Sequence, residues 1–225
     1  METIATKSYS FEGADLILSS LLREVQNGIY IDVGANRPII QNNTYYFYKI
    51  GWSGLALDGN DNFSEEWEKA RPRDIFLQVL ISDKSKEAKF NIFEDHTLST
   101  MDEETIIRYK NKYEGQKAKT VSLTTSTLHQ IKNKYLKNNE VHLVSIDIEG
   151  EDFNCLKGAM FDQWLPGVVL VETKNLSLHH LEESLIVNYM TKIGYRLIAK
   201  TPLDSFFIYP KKRYFSWLPE SIIKF

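Results

Sequence analysis

The stretch GIYIDVGAN, residues 28–36, decides the fold that we expect for this chain. Its first half, Ile29 to Val33, is a short apolar and β-branched run, which is typical of a strand buried on both faces of a parallel sheet. Its second half supplies Gly34 and Ala35, which are small enough for a ligand to approach the backbone closely. The stretch therefore predicts a buried strand followed by a ligand-binding turn.

Strands and helices alternate around this stretch. Apolar residues at helical spacing predict helices over 14–26, 45–50, 64–70, part of 95–117, 127–136 and 180–193. Short apolar runs predict strands over 54–57, 75–81, 88–93, 121–124, 141–146, 168–171, 195–199 and 206–209. This order predicts a Rossmann-like α/β fold: an open, mostly parallel, doubly wound sheet that ends in an antiparallel hairpin.

The composition indicates one globular domain with neither a nucleic-acid partner nor a membrane span. The 225 residues are 43% hydrophobic and 25% charged, with a formal net charge of -3. Phosphate-backbone binding usually needs a basic face, and the Lys-rich stretches 110–119 and 132–137 are interrupted by other residues. No apolar run approaches the ~20 residues of a membrane helix, and the N-terminus does not resemble a signal peptide. We expect one cytoplasmic domain over 1–225, with a helical segment 1–27, a core 28–210 and a tail 211–225.

Acidic residues end four of the predicted strands, at the edge where doubly wound sheets bind ligands. They are Asp32, Asp58, Asp147 and Glu172. Asp32 suits a cationic amino-acid group better than a pyrophosphate, whose negative charge it would repel. Asp58 stands where nucleotide-binding proteins place the carboxylate that accepts hydrogen bonds from the ribose hydroxyls. The pattern predicts an adenosine ligand with a charged tail.

A second acidic motif is SIDIEGEDFNCLKG, residues 145–158. Carboxylates at close range raise each other's pKa or need a cation, so such groups are frequent at general-base and metal sites. We interpret Glu151 and Asp152 as acids at the start of a helix, where the helix dipole favours them. Asp147 and Glu149 precede Gly150 in a strand-end loop, and they are our candidates for chemistry.

Taken together, these motifs resemble the FkbM family of methyltransferases. The family pattern has an SxxGxD segment before the first strand, then YIDVGAN, SNTYYFY, GWxGLxID, and DxEGE followed by LxG. The matching stretches in this chain are 10–15, 30–36, 42–48, 51–58 and 147–158. Two positions depart from the pattern: Pro38 stands where the family often has a glycine, and Asn42 replaces the serine of SNT.

The resemblance implies a methyltransferase that uses S-adenosylmethionine. It implies that Asp32 to Asn36 line the methionine part of this cofactor, that Asp58 binds the ribose and that residues 78–82 pass the adenine. Asp147 would lie beside the sulfonium. The full set of implied cofactor-binding residues is Gly13, Asp32, Gly34, Ala35, Asn36, Thr44, Asp58, Gln78, Ser82 and Asp147.

Members of this family are generally assigned to O-methylation of hydroxyls on sugars, polyketides or related small molecules. The resemblance therefore implies a small-molecule acceptor, first of all a sugar or sugar nucleotide of a bacterial-type surface glycan such as capsule or lipopolysaccharide. A polyketide-type natural product is the alternative, because a fold does not carry its acceptor with it. Assembly into a homo-oligomer stays open.

Methyl transfer to a hydroxyl is an in-line displacement that positioning and proton removal assist. A sugar hydroxyl is a poor nucleophile at neutral pH, so we expect a general base or a divalent ion. Asp147, Glu149 and Glu172 are the candidate catalytic residues and also the candidate ligands of Mg²⁺. His179 and His180 follow the Glu172 strand and are further candidates for contact with the acceptor.

Two other classes of protein share this fold. A nucleotide-dependent oxidoreductase needs a GxGxxG turn, which the sequence lacks. A catalytically silent binding protein would not need Asp32, Asp58 and Asp147 together, so their presence favours an enzyme.

Overall fold

The computed structural model describes residues 7–113, 117–174 and 176–223. The strands are β1 Ile29–Val33, β2 Ser53–Asp58, β3 Ile75–Gln78, β4 Leu80–Ile81, β5 Glu87–Phe93, β6 Ala118–Ser126, β7 Leu143–Ile146, β8 Val168–Glu172, β9 Arg196–Lys200 and β10 Asp204–Ile208. The α-helices are α1 Ala14–Leu21, α2 Tyr45–Lys49, α3 Ser64–Ala70, α4 Glu103–Lys112, α5 Leu128–Tyr135, α6 Asp152–Ala159, α7 Leu185–Lys192 and α8 Glu220–Ile223.

Seven strands form one sheet, in the order β3-β2-β1-β7-β8-β10-β9. β1 lies near its centre and pairs in parallel with β2 on one side and β7 on the other. Tyr30 to Val33, Gly54 to Leu57 and all of β7 are buried, because these apolar runs are covered on both faces of the sheet. The predicted Rossmann-like α/β class is confirmed.

The strand order reverses between β1 and β7. The chain runs outward from β1 through β2 to β3, then crosses back and runs outward from β7 to β8. At such a point the loops after neighbouring strands diverge and leave a crevice outside their carboxyl ends. Asp58, Asp147 and Glu172 end their strands or follow them directly, so the topology brings all three to one edge.

The C-terminal hairpin has the predicted direction. β10 is antiparallel to β8 and to β9, and it lies between them in the sheet. It begins at Asp204, two residues earlier than its apolar pattern predicts, because Asp204 still pairs with Glu172 at the end of β8. The hairpin thereby extends to the edge that carries the acidic residues.

Three strands form a second, smaller sheet, in the order β4-β6-β5, which the sequence analysis did not predict. The expected single strand 75–81 is divided: β3 stays in the main sheet, and β4 pairs with β6. Between them the Val79 N–H donates to the Asp58 carbonyl (2.8 Å), which keeps this segment beside the end of β2. β6 is longer than its predicted core 121–124, because it pairs with the whole of β5.

Two helices begin directly after a capping residue, and one of them, α7, begins later than predicted. Asp102 accepts a backbone N–H bond (2.8 Å) from the first turn of α4. Ser184 does the same for α7 at 3.2 Å, so this helix begins after residue 184 and not near 180. A side-chain oxygen that satisfies an unpaired N–H fixes where a helix starts.

Apolar clusters cover both faces of the main sheet. On one face Val144 and Val169 pack with Leu156 of α6 and Met190 of α7. On the other face α1, α2 and the segment 213–218 pack around Tyr30 and Phe206. α1 ends at Leu21, before its predicted end at residue 26. Within the described ranges, no helix is long and apolar enough to cross a membrane.

Candidate active site

A cleft of about 640 Å³ lies at the carboxyl ends of β1, β2, β7 and β8. This volume is within the range of small-molecule sites, about 300–1,000 Å³. The predicted site residues that line it are Gly34, Asn36, Asp58, Asp147, Glu149 and Glu172. The other predicted residues lie outside its lining: Gly13, Asp32, Ala35, Thr44, Gln78, Ser82, His179 and His180.

The loop after β1 lies directly against the backbone of the loop after β7. Gly34 has a positive φ of 80°, and a Cβ at this position would lie 1.8 Å from the Asp147 carbonyl oxygen. The Gly34 and Ala35 N–H groups both donate to Leu57 O, at 2.9 and 3.1 Å. Only glycine tolerates both the dihedral angle and the close approach. Ala35 itself turns away from the cleft into a cluster with Trp67.

Asp58 ends β2 with its carboxylate at the cleft. One oxygen accepts the N–H of Asn36 (2.9 Å) and the other accepts the N–H of Asn60 (2.7 Å). Burial raises the pKa of Asp58 to about 6, although the two N–H bonds favour the charged form. Each carboxylate oxygen keeps a second lone pair for a ligand hydroxyl.

An apolar part of the cleft follows Asp58. Leu80 and Phe90 of the second sheet face Gly59, where an added Cβ would lie 2.5 Å from the Leu80 side chain. The residues expected to pass the adenine, 78–82, do not all lie at the cleft. Val79 to Ile81 line the cleft, whereas Gln78 donates to the Gly59 carbonyl (3.2 Å) and Ser82 is buried against Glu151 (3.0 Å).

Asp32 lies beneath the cleft and not on its surface. It is 4% exposed, and one of its oxygens accepts hydrogen bonds from Thr44 Oγ1 (2.8 Å) and Asn42 Nδ2 (3.1 Å). Burial raises the pKa of Asp32, and these hydrogen bonds oppose the shift. Asp32 and Thr44 therefore hold the loop that follows β1, and direct contact with a cofactor stays a prediction for both.

Arg71, which is 1% exposed, connects this buried group to the rest of the fold. Its guanidinium uses all of its donor groups. Nε donates to Asp74 (2.6 Å). The two terminal nitrogens donate to Pro38 O (3.1 Å), Asn42 Oδ1 (2.9 Å), Tyr30 Oη (2.6 Å) and Thr44 Oγ1 (2.9 Å). Pro38, which departs from the family pattern, thus supplies a carbonyl to Arg71, and Asn42 is a full member of the same group.

The acidic end of the cleft gathers Asp147, Glu149 and Glu172. One oxygen of each lies within 4.8 Å of the others. Lys174 lies among them: Nζ is 2.8 and 2.9 Å from the two Glu149 oxygens and 2.7 Å from Glu172 Oε1. Glu149 also accepts a hydrogen bond from the Tyr109 hydroxyl. Mg²⁺ at these carboxylates stays a prediction.

The three carboxylates perturb one another's ionisation. Desolvation, followed by the charges of Glu172 and Glu149, raises the pKa of Asp147 well above its ordinary value. Burial and the charge of Glu149 raise the pKa of Glu172 to about 8. Burial alone would lower the pKa of Lys174, but its bonds to Glu149 and Glu172 outweigh this effect and raise it. Lys174 is therefore a fixed cation at neutral pH.

Asp147 differs from its two acidic neighbours. Glu149 and Glu172 are both paired with Lys174, but no group in the described ranges donates a hydrogen bond to the Asp147 carboxylate. It lines the cleft beside Gly34. An unpaired carboxylate facing a ligand-sized cleft is suited to a cationic ligand group.

The acids after Asp147 shape its loop. Glu149 and Gly150 both have positive φ, 50° and 107°. The first residue of α6, Asp152, accepts the N–H groups of Ile148 (3.1 Å) and Gly150 (3.2 Å). Asp152 thus acts at a helix start, as its position predicts, and it fixes the turn that aims Glu149 at Lys174.

The two histidines expected near the acceptor are exposed and lie away from the cleft. His180 Nδ1 is 3.7 Å from Glu182 and 3.6 Å from Glu183. Instead, His96 lines the cleft and packs edge-on against Phe63, with ring centroids 5.1 Å apart. His96 and Lys174 were not among the site residues predicted from the sequence. Lys174 had one signal, a cation two residues after a strand-end acid.

Comparisons with known proteins agree with this fold. The methyltransferase FkbM domain matches residues 32–197. No curated protein matches the chain.

The chain also matches solved structures of methyltransferases, among them the following three. A precorrin-6y C5,15-methyltransferase from Geobacter metallireducens is 11% identical, with a TM-score of 0.44 over 92% of this chain and 93% of that one. A TehB-like SAM-dependent methyltransferase from Corynebacterium glutamicum is 8% identical, with a TM-score of 0.44 over 88% of each chain. The 1,6-didemethyltoxoflavin-N1-methyltransferase from Burkholderia thailandensis, whose structure holds S-adenosylhomocysteine, is 11% identical, with a TM-score of 0.45 over 88% and 75%.

The strand order, the cleft at its switch point and the domain match define a Rossmann-like methyltransferase. Within that class, the chain belongs to the FkbM methyltransferase family.

We expect Arg71→Met to lower the free energy of unfolding by about 3–5 kcal/mol, because it leaves the buried Asp74 without its cation. Urea unfolding followed by circular dichroism measures this change. Lys69→Met, on the exposed surface of α3, is the matched control and should change it by less than about 0.5 kcal/mol. Equal stability of the two variants would contradict the role given to Arg71.

Proposed function

We propose that this methyltransferase transfers a methyl group from S-adenosylmethionine to a hydroxyl of a small molecule. The observation that carries the proposal is the unpaired Asp147 carboxylate, which faces the cleft between the Gly34 turn and the Glu172–Lys174 pair. When bound, the cofactor supplies a cationic sulfonium with a transferable methyl group. A carboxylate is the protein group best suited to lie beside such a cation.

The residues of the cleft fit the parts of this cofactor in order. Asp58 has free lone pairs for the ribose hydroxyls. Leu80 and Phe90 supply an apolar wall for the adenine next to Gly59. The Gly34 turn leaves room for the methionine part, whose sulfonium would lie beside Asp147. Asp32, Thr44, Gln78 and Ser82 support these groups from behind.

The acceptor would lie at the acidic end of the cleft. Methyl transfer needs the acceptor oxygen held in line with the methyl group and its proton removed. Glu172 is our candidate for taking this proton, because it lines the acidic end of the cleft and its pKa of about 8 lies near neutral pH. Lys174 and Tyr109 hold Glu149, which shapes the floor of the same region.

The charge of the cleft favours a neutral sugar over a nucleotide-linked one. Its lining includes six carboxyl groups: Asp58, Glu94, Asp95, Asp147, Glu149 and Glu172. Its two lysine or arginine side chains in the described ranges are already paired, Lys174 with Glu149 and Arg37 with Glu66 (3.5 Å). A diphosphate would meet repulsion without a free cation to bind. A neutral polyketide hydroxyl is the alternative acceptor.

For the cofactor, we expect the affinity for S-adenosylhomocysteine to fall as the pH falls through about 6, where Asp58 gains a proton and loses acceptor capacity. Asp58→Asn should weaken binding at pH 7.5 by at least about tenfold, the loss of roughly one charged hydrogen bond, and should flatten the pH dependence. Titration calorimetry measures both. Asp61→Asn, at an exposed position three residues later, should bind as the unchanged protein does. No binding by the unchanged protein would exclude the cofactor.

For the acceptor, labelled S-adenosylmethionine can be incubated with matched pairs of a methyl glycoside and the nucleotide diphosphate of the same sugar. We expect kcat/KM for the neutral member to be higher by at least about tenfold, because like charges at a site cost several kcal/mol. Mass detection of the methylated product measures it. Preference for the nucleotide would refute the charge argument.

For the base, the rate with that acceptor should rise with pH until about 8 and then level off, because Glu172 accepts a proton only after losing its own. Glu172→Gln should lower kcat by about 10²-fold or more and remove the rising limb. His180→Gln is the control and should retain both the rate and the limb. If the rate of the Glu172→Gln variant still rises with pH, a residue other than Glu172 is the base.

A further inference from the structure

Lys174 contacts two members of the only cleft-lining group of three carboxylates in the described ranges that could hold a metal ion. It follows β8 by two residues, and its ammonium contacts Glu149 through both oxygens and Glu172 through one. Three contacts of 2.7–2.9 Å are within the range of charge-assisted hydrogen bonds. An ammonium has three donors, so these contacts use its full capacity.

The surroundings of Glu149 fix this arrangement. Glu149 is 8% exposed, and it also accepts the Tyr109 hydroxyl. Its own carbonyl accepts a hydrogen bond from Thr100 Oγ1 at 2.8 Å. An exposed lysine pair contributes little because both side chains move freely. Here one partner is held by two elements of the fold, so the ammonium has a defined position.

A divalent ion does not fit beside this ammonium. Mg²⁺ binds oxygen at 2.0–2.1 Å and demands near-octahedral geometry. An ion shared by Glu149 and Glu172 would have to lie among oxygens that already contact Nζ, with strong repulsion between the two cations. The expected Mg²⁺ ligands are thus brought together, but their common position already has a cation supplied by the chain.

We propose that Lys174 is the built-in cation of the acceptor site, a positioning residue that takes the place of a divalent ion. It pairs with both Glu149 and Glu172 and makes no hydrogen bond to Asp147, which stays open to the cofactor. That the Lys174 ammonium occupies the position expected for a divalent ion follows from the contacts of Lys174 alone. Its consequence, that methyl transfer needs no divalent ion, rests on the proposed function.

Removal of the ammonium tests the occupancy directly. Lys174→Met keeps an unbranched side chain, one atom shorter than that of lysine, and leaves the three carboxylates without a cation, so it should create a site for Mn²⁺. We expect the Mn²⁺ dissociation constant, measured by calorimetry and by electron paramagnetic resonance, to fall by at least about tenfold relative to the unchanged protein. Adding Glu149→Gln to this variant should reverse the gain. Lys157→Met, whose ammonium lies 3.8 Å from Asp83 on another surface, should produce none.

Methyl transfer provides the second readout. The unchanged enzyme should keep its rate after exhaustive chelation, whereas Lys174→Met should be slow and should recover at least part of its kcat when Mn²⁺ is added. Rescue by a metal distinguishes a charge role from a merely structural one. Mn²⁺ binding by the unchanged protein that Glu172→Gln abolishes, or no gain of Mn²⁺ binding in Lys174→Met, would overturn the proposal.

Binding of S-adenosylhomocysteine separates the two proposals. If the unchanged protein does not bind it, the proposed function fails, and the Mn²⁺ measurements still decide the occupancy. If Lys174→Met binds it normally, the variant is folded, and its Mn²⁺ affinity tests Lys174 alone.

Discussion

The buried guanidinium of Arg71 is the interaction on which the site depends. A guanidinium without partners in a protein interior is very costly, and its fork of donors is satisfied only by a fixed set of acceptors. Here those acceptors come from β1, from the loop after it and from Asp74, the residue before β3. Asp74 extends the group further, because it also accepts the Gly54 N–H of β2 (2.9 Å). One cation thus fixes two central strands and the loop between β1 and α2 relative to each other.

This buried group explains how a loop with few apolar residues holds its shape. Thr44 and Asn42 bond both to Arg71 and to Asp32, so they connect the Asp32 carboxylate to the guanidinium, which it does not contact directly. Above it, Gly34 can lie against Asp147 because both backbones are held. Asp32 therefore supports the cleft from beneath, and Gly34, two residues later, forms part of its surface.

The two ends of the cleft use charge differently. Near Asp58, backbone N–H groups bind a carboxylate and leave lone pairs for a ligand. At the acidic end, Lys174 binds two of three carboxylates and leaves Asp147 open. Burial and neighbouring carboxyl groups raise the pKa of Asp147 and of Glu172, so a cationic ligand group beside Asp147 is favoured because it stabilises the charged form of that carboxyl. The same arrangement makes a second cation beside Lys174 unfavourable.

Sequence patterns alone predict the α/β class, the order of the strands along the chain and the acids that end them, because periodicity and strand-end position are local properties. They also located Gly34, Asp58, Asp147 and Glu172 at the cleft. Only the tertiary structure decided that Asp32 lies beneath the cleft and that His180 lies away from it. It also revealed the second sheet and the cation at Lys174. These features depend on contacts between residues far apart in the chain, such as Glu149 with Lys174 and Asp58 with the segment before β4. No local pattern specifies the partner in such a contact, because packing and charge select it after the strands have come together.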